Sequence, residues 1–336
     1  MNITICGGGN LGHVCAAFLS AQVGNRVSLL TSRPEQWSEH IEVRDCNGLV
    51  YHGVFHAISN QPRDVVPDAD LILLCLPGFA IRGVLRSIAP CLKPSAWVGT
   101  VVSSTGFFFE AIEALPASQP LFGFQRVPFI SRVTRYGREA ELKGYKGSLG
   151  VAIEHADDKE SVRAALEQLF KVPVRLLANH YEVSLSNSNP LLHTSRLYML
   201  WKDWEPGASY DRNPGFYSEW TVPTSELYIA MDEELQSLLR RLGVSEDSIP
   251  TVLRYYDSWD AESLTRKICS IPAFQGILSP MTQSDDGRYL PDFTSRYFTE
   301  DFPYGLKPIH SLCQSHGIHC PNIEKVLSWG MSRVKD

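Results

Sequence analysis

The sequence predicts an α/β fold: a doubly wound sheet of parallel strands over residues 1–185, followed by a mostly α-helical domain over residues 186–336. Three observations carry this expectation. Short apolar runs alternate with helical patterns through the first half. One of those runs, Leu71 to Leu76, is apolar without a break. After about residue 185 the apolar positions fall instead at helical spacing.

Ile3 to Cys6 reads as the first strand, Leu11 to Ala21 as a helix and Arg26 to Leu30 as the second strand. Leu71 to Leu76 is too short for a helix and is followed by Pro77-Gly78, which fits a strand buried on both faces of a parallel sheet. Pro120 to Phe124 is strand-like, and Trp97 to Val102 and Gly147 to Ile153 complete the set. Strand and helix in alternation favour right-handed crossovers. In the second half Leu227, Met231, Leu235, Leu238, Leu239 and Leu242 form one helical stripe, stopped by Gly243. A shorter stripe of Ile323, Val326 and Leu327 lies near the C-terminus.

Composition narrows the function classes. With 31 basic and 37 acidic residues in 336, the net charge of −6 gives no general attraction to nucleic acid or anionic lipid. No apolar stretch approaches the ~20 residues needed to span a bilayer, so no membrane partner is expected. Eight cysteines lie mainly within apolar segments, as buried thiols of a cytoplasmic protein do. The apolar run Val14 to Leu19 has no basic segment before it and is preceded by Gly7-Gly8-Gly9-Asn10, unlike an export signal. The cluster His310, Cys313, His316, His319 and Cys320 lacks the paired spacing of a zinc module, and no metal is expected.

Gly7-Gly8-Gly9-Asn10-Leu11-Gly12 satisfies G-x-G-x-x-G directly after a strand and at the start of a helix, the context a dinucleotide loop requires. Gly7 allows the tight turn, Gly9 lets backbone approach a pyrophosphate, and Gly12 allows close helix–strand packing. Asn10 and Leu11 begin the helix whose free amides face the phosphates. The first domain is thus expected to be Rossmann-type. At the end of the second strand stand Thr31-Ser32-Arg33, with no acid to bond a ribose 2′-hydroxyl. Two hydroxyls and a guanidinium suit a 2′-phosphate, so NADP is expected, with NAD as the alternative. Pro77 and Ser103, at the ends of the two following strands, are expected beside the cofactor.

The second half supplies polar residues that a core does not need. In Asn187 to Thr194, Pro190 opens a helix with Asn189 as its cap and His193 follows in its first turn. In Arg296 to Leu306, Arg296 and Glu300 are spaced to share a helical face, and Asp301 follows. Hydride transfer to a substrate needs an acid–base group, something to orient it, and a cation for a carboxylate. His193 can serve as the acid–base group, Asp301 can fix its tautomer, and Arg296 can clamp a carboxylate in bidentate fashion. Taken alone, each residue reads more readily otherwise: His193 as a helix N-terminal cap contact, Asp301 as a cap, and Arg296 as a surface ion pair.

Taken together, the glycine loop with Asn10 and His13, Asn189-Pro190-x-x-His193, and Arg296-Tyr297-x-x-Glu300-Asp301-x-Pro303-x-Gly305-Leu306 resemble the opine dehydrogenase family, the octopine/nopaline group. Gly317-Ile318-x-x-Pro321-x-Ile323 is similar to the entry to that family's closing helix. The resemblance runs over essentially the whole chain. It implies a Rossmann domain followed by a helical domain like the C-terminal domain of 6-phosphogluconate dehydrogenase. It also implies NAD(P)H-dependent reductive condensation of an amino acid with an α-keto acid through an imine. Carried over by motif, His193 and Asp301 form the catalytic pair, Arg296 binds a substrate carboxylate, and Gln125, in Gln-x-x-Pro, contacts the keto acid. Thr194 stands where the family often has proline, and the chain is short for the family, which bears on the substrate more than on the chemistry.

Two other functions compete. A ketopantoate reductase or glycerol-3-phosphate dehydrogenase type shares the two-domain plan, but those families use a lysine of the helical domain, and none here lies in a matching motif. A non-catalytic NADP-binding sensor would keep the glycine loop without needing His193, Asp301 and Arg296. A homodimer is an option for the fold, though no exposed seam marks it in the sequence.

Overall fold

The computed structural model describes residues 1–334. It divides into two compact units, the first Met1–Ser186 and the second beginning at Asn187.

The first unit runs β1 (Asn2–Cys6), α1 (Asn10–Ser20), β2 (Arg26–Leu30), β3 (His40–Asp45), β4 (Val50–Ser59), α2 (Pro62–Val65), β5 (Leu71–Leu74), α3 (Gly78–Ile88) and β6 (Trp97–Thr100). It continues through α4 (Phe107–Ala114), β7 (Leu121–Phe124), β8 (Phe129–Arg135), β9 (Glu139–Tyr145), β10 (Leu149–Glu154), α5 (Lys159–Phe170), β11 (Val174–Leu176) and α6 (His180–Ser184). The eleven strands form one sheet in the order β11-β10-β7-β6-β5-β1-β2-β4-β3-β9-β8. The centre, β7-β6-β5-β1-β2-β4, is parallel, as the alternation of elements requires. All four residues of β5 are buried, each apolar side chain contributing roughly 1.5–3 kcal/mol, which is why this strand shows no polar alternation.

The sheet is mixed rather than wholly parallel. β10 pairs antiparallel with β7, and β3 with β4. β8 and β9 form an antiparallel hairpin that joins the sheet through β3. This extension explains α1, whose residues 12–19 are all buried. The helix packs on β1 and β2, and also on β3, β4, β8 and β9, so it has no solvent face to carry polar residues.

The second unit contains α7 (Asn189–Trp201), α8 (Val222–Arg241), α9 (Val252–Tyr255), α10 (Ala261–Ser270), a small hairpin of β12 (Met281–Gln283) and β13 (Tyr289–Pro291), α11 (Arg296–Thr299), α12 (Lys307–Ser315) and α13 (Pro321–Met331). Between α11 and α12, Asp301–Leu306 forms a π-helical turn. The expected leucine stripe is the buried side of α8, and Gly243 beyond it takes φ +72°, the left-handed stop. α7 starts one residue earlier than its sequence signals imply: Ser188 is the cap and Asn189 the first helical residue. The core gathers Trp201, Phe298 and Phe302, with Phe298 stacked between Trp201 and Phe302 at 6.2 and 5.4 Å. Among the described residues no helix is long and apolar enough to cross a membrane.

Candidate functional site

The first unit forms a glycine-rich corner at the carboxyl ends of β1 and β2. Gly7 turns at φ +117°, and a Cβ there would lie 2.6 Å from the Cys75 carbonyl oxygen. A Cβ on Gly12 would lie 2.0 Å from the Gly7 carbonyl oxygen, so both glycines are required by the chain's own packing. Gly9 differs: a Cβ would meet no atom within 4 Å. Nothing in the protein excludes a side chain at Gly9, whereas a phosphate approaching the backbone would. The first turn of α1 holds no acidic residue, leaving its amides and dipole open to an anion.

A cavity of about 470 Å³ opens beside this loop, lined by Gly7, Gly8, Thr31, Ser32, Arg33 and Tyr136 among others. Arg33 is exposed and forms no ion pair with a described residue, so its charge is available to a ligand. The glycine loop and this cavity fit a dinucleotide. Pro77 caps α3 with extended backbone. Ser103 is fully buried and does not line this cavity, and its Oγ would lie 2.3 Å from a Cβ on Gly123. Gln125 is half-buried just past β7, its backbone N–H donating to the Gly150 carbonyl at 2.9 Å.

The loop is braced by the β8–β9 hairpin. Asn10 Oδ1 accepts from the Val133 amide at 2.8 Å. His13 is buried between Trp37 and Tyr136, with ring centroids at 4.1 and 5.1 Å. Its Nε2 accepts from the Gly137 amide at 2.7 Å, so Nδ1 carries the proton and donates to the Gly9 carbonyl at 2.9 Å. Burial holds the His13 imidazole below its ordinary pKa, since the charged form would forfeit the Gly137 bond.

The second unit brings His193 and Asp301 together, 108 residues apart in sequence. His193 Nδ1 lies 2.8 Å from Asp301 Oδ2, and the side chains are 11% and 17% exposed. A carboxylate only accepts, so Nδ1 holds the proton and Nε2 is left to accept from the Tyr217 hydroxyl at 2.8 Å. The π-helical turn begins at Asp301, where such widened turns commonly re-aim a side chain. A Cβ on Gly305 would lie 2.7 Å from Pro190, so this turn seats directly on the start of α7.

Arg296 lies one residue before Tyr297, whose ring meets the His193 ring edge-on at 4.8 Å. Arg296 is exposed and pairs with no described carboxylate. The structure therefore assembles His193, Asp301 and the Arg296–Tyr297 turn within one unit.

Two residues of this site have no catalytic role assigned from the sequence. Tyr217 belongs to an aromatic-rich loop whose other members, Trp201, Phe216 and Trp220, are buried packing. Arg196, one turn after His193, is 3% exposed and donates to the carbonyls of Phe216 at 2.8 Å and Gly215 at 3.1 Å. Burial among carbonyls pulls its pKa down to about 10. Arg196 thereby holds the backbone that presents Tyr217. The one available signal was a cation three residues beyond His193 on the apolar face of a helix.

Comparison with known proteins agrees with both halves. Residues 176–333 match the model described as NAD/NADP octopine/nopaline dehydrogenase, alpha-helical domain. Residues 3–123 match ketopantoate reductase PanE/ApbA. The chain is 25% identical over 361 residues to an opine dehydrogenase of Haliotis discus hannai, covering 98% of this chain and 89% of that protein. It is 28% identical over 360 residues to a tauropine dehydrogenase of Arabella iricolor, covering 97% and 90%. Its fold superposes on octopine dehydrogenase solved with NADH and L-arginine at a TM-score of 0.88 and 24% identity, covering 99% of this chain and 89% of that one. The helical-domain match spans the His193 and Asp301 motifs, and the chain is similar to opine and tauropine dehydrogenases along nearly all its length.

Proposed function

We propose that this protein is an NADPH-dependent opine dehydrogenase that joins the amine of an amino acid to an α-keto acid through an imine and reduces it. The observation that carries the reading is the buried His193–Asp301 pair in the octopine/nopaline helical domain. The bound nicotinamide would supply the hydride that reduces the imine carbon. Gly9, the α1 amides and Arg33 would hold the dinucleotide, and Gly7 and Gly12 shape its loop. His193, oriented by Asp301, would take and return protons as the carbinolamine loses water. Arg296 would bind a substrate carboxylate and set the angle of the imine, a positioning effect, with Gln125 contacting the keto acid.

The ketopantoate reductase match covers only the dinucleotide-binding half and brings no catalytic lysine. The decisive experiment crosses keto acids against amino acids and follows NADPH oxidation, with a parallel NADH series. Oxidation by some pair, faster with NADPH, is expected. Tight NADPH binding with no oxidation by any pair would leave a sensor, and preference for NADH would remove the role given to Arg33. Eight free thiols suit a reducing compartment, and we place the protein in the cytoplasm on that ground. A homodimer is the assembly to test by light scattering, where a monomer mass would exclude it.

A further inference from the structure

Tyr217 has a feature that packing does not require. Its ring stacks on Phe274, with centroids 4.1 Å apart and planes at 18°, and meets Phe216 edge-on at 4.8 Å and 89°. A phenylalanine would serve that packing equally well. The hydroxyl, in a side chain only 5% exposed, is directed to His193 Nε2 at 2.8 Å. Burial raises the phenol well above its ordinary range, so it stays a protonated donor at neutral pH. With Asp301 on Nδ1, both ring nitrogens are engaged, and Nε2 faces a hydroxyl rather than solvent. A hydroxyl donates and accepts, so it can remain bonded to Nε2 whether the ring is neutral or charged. The Tyr297 hydroxyl interacts with the same group.

Resting on the opine dehydrogenase reading, we propose that Tyr217 is a proton relay through which His193 exchanges protons with the substrate. During carbinolamine dehydration the Nε2–H bond of the imidazolium breaks as a new Tyr217 O–H bond forms. The original Tyr217 proton passes to the departing hydroxyl, which leaves as water while the nitrogen lone pair closes the C=N bond. His193 ends neutral, Tyr217 ends unchanged, and the positive charge resides on the iminium ion that accepts the hydride. The relay requires no oxidant or reductant beyond that hydride.

The test uses the full chain with NADPH and an active substrate pair, measuring single-turnover oxidation in mixtures of light and heavy water. Two protons moving in one step should bow the wild-type plot of rate against deuterium fraction. Tyr217→Phe should slow oxidation about 100-fold, within the range of general acid–base effects, with KM within about threefold, and should straighten the plot. A Tyr217→Phe rate within about threefold of wild type, or a plot that stays bowed, would overturn the relay. If that variant fails to bind NADPH, the wild-type plot alone decides, a straight line counting against the relay. A wild type inactive with every pair would instead refute the underlying functional reading.

Discussion

Replacing Asp301 by asparagine isolates the charge from the geometry of the proposed catalytic pair. Asparagine is nearly isosteric, and its carbonyl oxygen can accept the same bond from His193 Nδ1, now 2.8 Å from Asp301 Oδ2. What is lost is the negative charge that favours the imidazolium. With the two groups only 11% and 17% exposed, solvent screens the pair weakly. Unit charges about 4 Å apart at an effective dielectric near 20 interact by about 4 kcal/mol. At about 1.4 kcal/mol per tenfold in rate, Asp301→Asn should slow turnover by roughly 10³-fold. The assay is single-turnover NADPH oxidation, paired with NADPH affinity measured by fluorescence quenching. Affinity should be unchanged, since no cofactor contact is assigned to Asp301. A variant that binds NADPH normally yet oxidises it within about tenfold of wild type would show that the carboxylate does not stabilise charge on His193.

Four further outcomes follow from the structure. Gly12→Ala forces a Cβ to within 2.0 Å of the Gly7 carbonyl and should cost about 1–3 kcal/mol in unfolding free energy. Gly9→Ala, with open space around the new Cβ, should melt within about 0.5 kcal/mol of wild type while losing at least about tenfold in NADPH affinity; equal behaviour of the two variants would contradict their separate roles. Arg196→Met removes two charge-assisted bonds and strands the Gly215 and Phe216 carbonyls, so urea denaturation should show a loss of about 3 kcal/mol. His13, depressed in the folded state from an ordinary value of 6.5, contributes stability that is full above that pH and is lost as pH falls through the folded value. Asp232, raised to about 6, works in the opposite sense, gaining stability as pH falls, so the measurable quantity is the difference between wild type and His13→Leu. That difference should shrink on acidification.

The parts of the fold legible in the sequence were those governed by local pattern. β5 showed itself because both its faces are buried, and α8 because its stripe recurs over about four turns. The β8–β9 hairpin did not, because β8 alternates Ile130, Arg132 and other exposed residues on the edge of the sheet, where no strand signal is enforced. His193 and Asp301 were readable as motifs although their meeting is set by a π-helical turn that no spacing rule encodes. Tyr217 was hidden among aromatics that only pack, since an O–H aimed at an imidazole leaves the same letter in the sequence as one aimed at solvent. Ser103 shows the converse limit: a serine at a strand end looks alike whether it faces a cavity or, as here, the inside.

The bonds from Asn10 and His13 to the β8–β9 hairpin have a consequence beyond bracing. The amides of Val133 and Gly137 are locked only while the glycine loop keeps its shape, so loop and hairpin should open to solvent as one cooperative unit. Anything that stabilises the loop then slows hydrogen exchange at Val133 and Gly137, even where it touches neither residue. With a dinucleotide seated on the loop as proposed, the hairpin would report its occupancy, readable amide by amide.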